Sequence, residues 1–253
     1  MHTTPPPAIP RLLQAGLRLA LAAAVWTAAG CVQAGELVLT VDTGTEMPFA
    51  KIEDGKLTGG LHKDLGEALA RALGRTPVFL VLPRKRIEHA LETGDADVLC
   101  MYIPAWVPGP YDWSRPFFPH SEVVIADRRA ARPKRVRDLA GQRIGTVLGY
   151  RYPEFEAMGS DFVREDTLSA ESNLRKLAAG RIQYAITSSV FLDYRLKQGD
   201  LPLALHEPLL VKFFRAQCAV SRRGRVRLPE LDRAVAQIVK DNTLAQILQR
   251  YKK

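Results

Sequence analysis

Cysteine is scarce: the chain has 3 in 253 residues, too few for a disulfide scaffold. No apolar run reaches the ~18 residues that a bilayer-spanning helix needs. There is no Gly-x-Ser-x-Gly elbow, no His-Glu-x-x-His pair and no Gly-rich phosphate loop, so the common hydrolase, zinc-protease and nucleotide signatures are missing. His62, His89, His120 and His206 are scattered without metal-ligand spacing, so neither a metal nor a cofactor is expected. What is there is ordinary for a globular protein, with 47% hydrophobic and 25% charged residues. The net charge is +9. The basic residues are spread along the chain apart from short groups such as Arg84-Lys85-Arg86, which suits a solvated surface better than a nucleic-acid partner.

The first 34 residues read as an export signal rather than as fold. Arg11 and Arg18 supply positive charge, Leu19 to Ala29 an apolar stretch, and Val32-Gln33-Ala34 small residues for cleavage before Gly35. Ala28-Ala29-Gly30-Cys31 resembles a lipobox, which leaves a lipid-anchored alternative. Periplasmic export of a soluble monomer is the expectation. The exported part keeps Cys100 and Cys218, and sequence alone leaves open whether they pair or stay as buried thiols.

From Glu36 onward, short apolar strands alternate with helices. Glu36 to Val41, Val78 to Leu82 and Ala96 to Met101 read as strands. Leu61, Leu65, Leu69, Ala72 and Leu73 recur at helical spacing, and Gly74 stops them. Ile87, Ala90 and Leu91 mark a shorter helix ended by Gly94. The same cadence returns at Arg143 to Leu148, at a helix capped by Ser169, and at Ile182 to Ile186. This alternation indicates parallel βαβ units. Ser121 to Ala126, followed by the basic stretch 128–137, looks like a passage to a second lobe, and Phe213 to Val220 like the return. Two amphipathic helices close the chain. The expected division is residues 1–34 as signal, 35–126 as the first lobe, 127–212 as the second, and 213–253 returning to the first.

In order along the chain, several pieces carry a likeness: Met47-Pro48-Phe49, Gly55-Lys56-Leu57-Thr58-Gly59, Leu91 to Val98, Asp112-Trp113-Ser114-Arg115-Pro116-Phe117-Phe118, and Asp138-Leu139-Ala140-Gly141. Together they resemble the bacterial extracellular solute-binding proteins of family 3, the periplasmic receptors of polar amino acid uptake. The resemblance implies an α/β, two-lobed type II periplasmic binding protein fold. Each lobe would hold a mainly parallel sheet flanked by helices, with two crossover strands and the ligand in the cleft between lobes. It implies a small-molecule ligand and either an inner-membrane permease or a membrane signalling receptor as partner. A cyclohexadienyl-dehydratase-like enzyme on the same fold is the catalytic alternative, with Glu46 as its one nameable acid.

Two departures from the family pattern bear on the ligand. The Arg that grips an α-carboxylate is absent from the stretch Ile103 to Pro108, and Ser188 stands where an Asp would hold the α-ammonium. A small polar or anionic ligand is therefore expected rather than an ordinary α-amino acid. The loops that should face the cleft offer Glu46, Phe49, Arg84, Tyr102, Trp106, Tyr150, Arg151, Tyr152, Ser188 and Ser189 as ligand contacts. Arg84 lies at a helix start, where cations oppose the helix dipole unless an anion joins them. Arg151 lies between two tyrosines, a setting for stacking.

Overall fold

In this computed structural model the described residues are 1–4, 35–199 and 201–251. The export signal and the lipobox lie outside them. Contacts divide the chain into Met1–Ala34 and Gly35–Lys253, and every named element belongs to the second unit. No helix among the described residues is long and apolar enough to cross a membrane.

Among the described residues, eleven strands and seven α-helices follow one another in the alternation expected. The strands are β1 (Glu36–Asp42), β2 (Lys51–Glu53), β3 (Lys56–Gly59), β4 (Thr76–Leu82), β5 (Val98–Tyr102), β6 (Asp112–Trp113), β7 (Phe118–Ala126), β8 (Arg143–Val147), β9 (Val163–Thr167), β10 (Tyr184–Ser188) and β11 (Leu209–Val220). The helices are α1 (Leu61–Leu73), α2 (Arg84–Thr93), α3 (Pro153–Glu156), α4 (Ala170–Ala178), α5 (Ser189–Gln198), α6 (Leu228–Lys240) and α7 (Thr243–Tyr251). The helix over α5 is the one long element that the apolar spacing did not announce, because only Phe191 and Leu192 are buried in it.

The main sheet runs β4-β1-β5-β11-β7-β10-β8-β9, with β6 on the flank of β11. β1 is parallel to β4 and β5, and β8 is parallel to β9 and β10. The inner strands β1, β5, β8 and β10 are largely buried on both faces, as helices covering both sides of a sheet require, whereas the edge strands β4 and β9 are half-buried or exposed. The long strands β7 and β11 tie the two parallel sets together. The C-terminal residues of β11 pair with β5, and its N-terminal residues pair with β7. β7 in turn gives Glu122 to Ala126 to β10. The sheet thus passes from one set to the other inside β7 and β11, before the basic stretch 128–137 is reached.

Two buried clusters sit on opposite faces of the first set, one around Leu61, Leu65 and Val235, the other around Ile87, Leu91 and Leu99. Two more flank the second set, around Ile125, Leu174 and Leu177 and around Val124, Ile144 and Phe155. Each half therefore has its own core, which is what makes it a lobe. Phe49 is half-buried and packs against a cluster of each half.

A buried acid and a close backbone approach lock the first half. Asp97 is fully buried and accepts the backbone N–H groups of Val38 at 2.8 Å and Arg225 at 2.5 Å, joining β1, the start of β5 and the chain after β11. Gly94 ends α2 at φ 88°, and a Cβ there would come within 2.7 Å of the Arg223 carbonyl oxygen, so only glycine fits this joint. Cys100 and Cys218 face each other across β5 and β11 and form a disulfide, which resolves the alternative the sequence left open.

Candidate functional site

A cavity of about 140 Å³ lies where the two halves meet. That is roughly ten times the ~10–15 Å³ needed to hold one water. Its walls come from loops and strand ends of both halves. The first contributes Thr45, Glu46, Phe49, His62, Arg84, Met101, Tyr102 and Trp106. The second contributes Val147, Tyr150, Arg151, Tyr152, Ile186, Thr187, Ser188 and Phe191. His120 and Glu122, on the connecting strand β7, line it as well. Nine of the ten residues expected from sequence are on this wall. Ser189 is not; it is the first residue of α5.

Arg84 is the first residue of α2, with Pro83 as the preceding cap residue and no acid in the first turn. The helix dipole therefore works against this cation, and the surroundings compensate. Asp42, at the end of β1, approaches Arg84 Nε to 3.6 Å. The guanidinium carbon lies 4.7 Å from the ring centre of Tyr102 and 5.3 Å from that of Tyr150, within the range of cation–π attraction. Its side chain is only 15% exposed. Even so, Nε and Nη1 have no hydrogen-bond partner among the described residues. A buried guanidinium with unused donors is a site for an acceptor that arrives from outside.

Tyr102 reaches this wall through a local irregularity. Met101 has φ 67°, a left-handed conformation uncommon for a side chain of its size. Simple alternation along β5 would put Cys100 and Tyr102 on one face of the sheet and Met101 on the other. The left-handed residue breaks that alternation: Met101 packs with Cys100 in one cluster, Tyr102 with Leu99 in the cluster on the opposite face, and both line the cavity at the strand end. Strain of this kind tends to sit at functional sites.

Trp106, among prolines in sequence, stands in an aromatic group. It meets Tyr102, His120 and Phe214 edge to face, at ring-centre distances of 6.2, 5.4 and 5.1 Å. His120 also lies 6.0 Å from Phe49 and 4.9 Å from Phe214. Burial pulls the His120 imidazole down to about 4 and that of His62 to about 3, so both rings are neutral at ordinary pH. His120 Nδ1 has no partner among the described residues. Among those residues no group of His, Cys, Asp and Glu is arranged to hold a metal.

The remaining expected residues divide by what they already touch. Glu46 Oε2 accepts the backbone N–H of Glu171, near the start of α4, at 2.8 Å. Burial raises the Glu46 carboxyl, and the hydrogen bond from Glu171 opposes that. Arg151 is not stacked between its neighbouring tyrosines. It is half-exposed and forms a forked pair with Glu156, with Nη2 to Oε2 at 2.8 Å. Tyr152 turns inward and its hydroxyl accepts the Val147 N–H at 2.9 Å. The Ser188 hydroxyl caps α5 by accepting the Phe191 N–H.

Glu122 is the residue that the sequence reading missed, having named Glu46 as the sole acid of the cleft. It sits in β7 on the same face as Val124 and Ala126, where the run Ser121 to Ala126 reads as an apolar strand. It is 6% exposed, and its Oε1 has no hydrogen-bond partner among the described residues. An acid placed on the buried face of an otherwise apolar strand was the available signal.

No family model matches the chain. A probable amino-acid-binding protein, YxeM of Bacillus subtilis strain 168, is 24% identical over 215 residues, covering 83% of this chain and 81% of that protein. An ancestral arginine-binding protein bound to glutamine superposes with a TM-score of 0.69 at 22% identity, over 86% of this chain and 97% of that one. The chain has the two-lobed fold of the periplasmic binding proteins. A histidine kinase sensor domain with similarity to the same proteins also superposes with a TM-score of 0.69, at 21% identity, over 87% of this chain and 96% of that one. In the periplasmic-binding-protein fold, the observed cavity sits beyond the C-terminal ends of the parallel strands β1, β5, β8 and β10, where open α/β sheets hold their ligands.

Proposed function

We propose that this chain is a periplasmic solute-binding protein that captures a small, carboxylate-bearing, amino-acid-like ligand between its lobes for an ABC-type uptake system. The observation that carries this reading is Arg84: a buried guanidinium with two unused donors, held against two aromatic faces at the mouth of an aromatic cavity. Aromatic walls around a few convergent polar groups are the usual make-up of a small-ligand pocket. The ligand carboxylate would accept a charge-assisted hydrogen bond from an unused donor of Arg84. Closure of the lobes around it would present one surface to a membrane permease. The YxeM relative is named as a probable amino-acid-binding protein, which agrees with this ligand class. The likeness to a kinase sensor domain favours a second reading in which the same closure is read by a signalling receptor.

A thermal-shift screen of amino acids, organic acids and polyamines on residues 35–253 tests the proposal. A ligand at 100 times its Kd adds ~2.7 kcal/mol of stability, a rise on the order of 5–10 °C for a protein of this size. Mass spectrometry of the bound compound should recover it unchanged, whereas a converted product would mark an enzyme. Loss of uptake on deletion separates transport from signalling, in which a transcriptional response is lost instead.

A further inference from the structure

We propose that Glu122 receives the ammonium group of the ligand, so that the cleft takes an amine-bearing carboxylate and discriminates against plain organic anions. This rests on the binding reading above and adds to it the residue that selects the amine.

Glu122 is buried on the cavity wall, with Oε1 lacking any hydrogen-bond partner among the described residues. A carboxyl oxygen held out of water without a partner is costly, and such atoms in native structures call for an explanation. Its strand neighbours do not supply a partner. Directly opposite on β10 is Ser188, whose hydroxyl caps α5 by accepting from Phe191 and makes no hydrogen bond to Glu122 Oε1. Directly opposite on β11 is Lys212, whose ammonium is paired with Glu154 of α3. An incoming ammonium can donate to the free oxygen and compensate the buried charge in one step.

The position has its own logic. Ser188 stands where the resemblance calls for the acid of the clamp, and Glu122 is its cross-strand partner. The acid has moved one strand sideways within the same sheet. The cation has likewise moved, from the loop after β5 to the start of α2, where Arg84 waits with free donors. The two charges of a zwitterion thus find opposite charges on one cavity, from residues that the usual pattern does not use. On this proposal the cleft suits an α-amino acid, against the expectation drawn from the two missing residues alone.

The groups around Glu122 set how it responds to pH. Burial and the nearby Glu154 push its carboxyl up to about 7, against the pull of Lys212. Tyr152 lies on the same wall and His120 on the same strand, and burial leaves both neutral at ordinary pH. Below neutrality Glu122 therefore carries a proton, which leaves for solvent when the ammonium ion enters; the amine keeps its own protons.

The test uses residues 35–253, the twenty common amino acids and the matching acids that lack the amino group. Calorimetry at pH 5.5 and pH 8 should find at least one amino acid bound, with its deaminated partner at least thirtyfold weaker. Its affinity should rise roughly thirtyfold from pH 5.5 to 8, the limit for one carboxyl of pKa near 7 that must ionise. Proton release at pH 5.5 should show as a binding enthalpy that varies with the buffer. Glu122→Gln should bind the same amino acid at least tenfold more weakly at pH 8 and lose the pH dependence, with its folding checked by circular dichroism. If an amino acid and its deaminated partner bind alike, or if binding ignores pH and the E122Q change, the role of Glu122 is wrong while the binding function stands. If nothing in either series binds, both fall.

Discussion

Glu46 Oε2 accepts a 2.8 Å hydrogen bond from the backbone N–H of Glu171, and the two residues are 125 positions apart. One belongs to the loop after β1, the other to the first turn of α4. A helix start attracts anions because its free N–H groups point outward. In this cleft a side chain of the facing lobe already occupies one such N–H. The contact holds the lobes together without ligand. Replacing Glu46 with Ala should cost roughly 1–2 kcal/mol, the range for a hydrogen bond to a charged group with partial solvent access. Small-angle scattering of the unliganded variant should also show a larger radius of gyration. Unchanged scattering and an unchanged denaturation midpoint would mean that the contact holds nothing.

Arg84 and Arg151 should behave differently. Arg84→Lys keeps the charge beside Asp42 but loses the planar fork. Ligand affinity should fall about tenfold or more, at roughly 1.4 kcal/mol per decade, with melting changed by only a few degrees. Arg84→Ala should also destabilise the fold, because it leaves Asp42 buried without its cation. Arg151 is held by Glu156 at a half-exposed position, so Arg151→Ala should change binding by no more than about threefold, given that exposed pairs contribute ~0–1 kcal/mol. Titration calorimetry of the three variants measures this ranking, and a larger loss from Arg151→Ala would reverse the assignment.

The Cys100–Cys218 disulfide closes a loop of 118 residues between β5 and β11. Loops of this length constrain the unfolded chain strongly, and removing such a bond costs about 2–5 kcal/mol. Reduction, or Cys100→Ser with Cys218→Ser, should lower the melting temperature on the order of 5–15 °C. Calorimetric melting with and without reductant decides it; coincident curves would show that the sheet holds these strands equally well alone.

Glu122 also makes a prediction about stability that needs no ligand. Its carboxyl is raised to about 7 in the fold, above the ~4.3 of an exposed glutamate. A raised carboxyl stabilises the fold while it is neutral. That contribution is complete below the unfolded value and is lost as pH climbs through about 7. Glu122→Gln stays neutral throughout. The variant should match the parent near pH 5 and exceed it at pH 8 by up to about 3 kcal/mol. Urea denaturation at the two pH values reads the difference, and parallel behaviour would place Glu122 in a more polar setting than the one described.

His62 works in the opposite direction. Burial depresses it to about 3, below the ~6.5 of a free imidazole. The unfolded chain then binds the proton first, so the fold loses stability as pH falls below the unfolded value toward 3. At pH 5 this amounts to about 2 kcal/mol. His62→Gln, which cannot take up that proton, should lose less stability than the parent between pH 7 and pH 5. An equal loss in both proteins would assign the acid sensitivity elsewhere.

The alternation of strand and helix was legible because it is written in local periods. Leu61 to Leu73 repeats at helical spacing, Leu37 to Val41 is a short, almost continuous apolar run, and Gly74 and Gly94 stop their helices at left-handed angles. The α/β class follows from such patterns, and nine of the ten expected contact residues lie on the cavity wall, since binding loops fall at the C-terminal ends of parallel strands. α5 escaped notice because only two of its residues are buried, which leaves little apolar rhythm to read.

What depends on distant residues was decided only in the tertiary structure. Strand pairing set Cys218 opposite Cys100 and Glu122 opposite both Ser188 and Lys212. The left-handed turn at Met101 brought Tyr102 onto the cavity wall. The fold also chose which charges are spent, giving Arg151 to Glu156 and Glu46 to the start of α4, while Arg84 and Glu122 keep unused atoms. A sequence lists which charges exist. Whether a charge is exposed, paired or waiting depends on burial and on partners far away along the chain, and those are properties of the packed molecule.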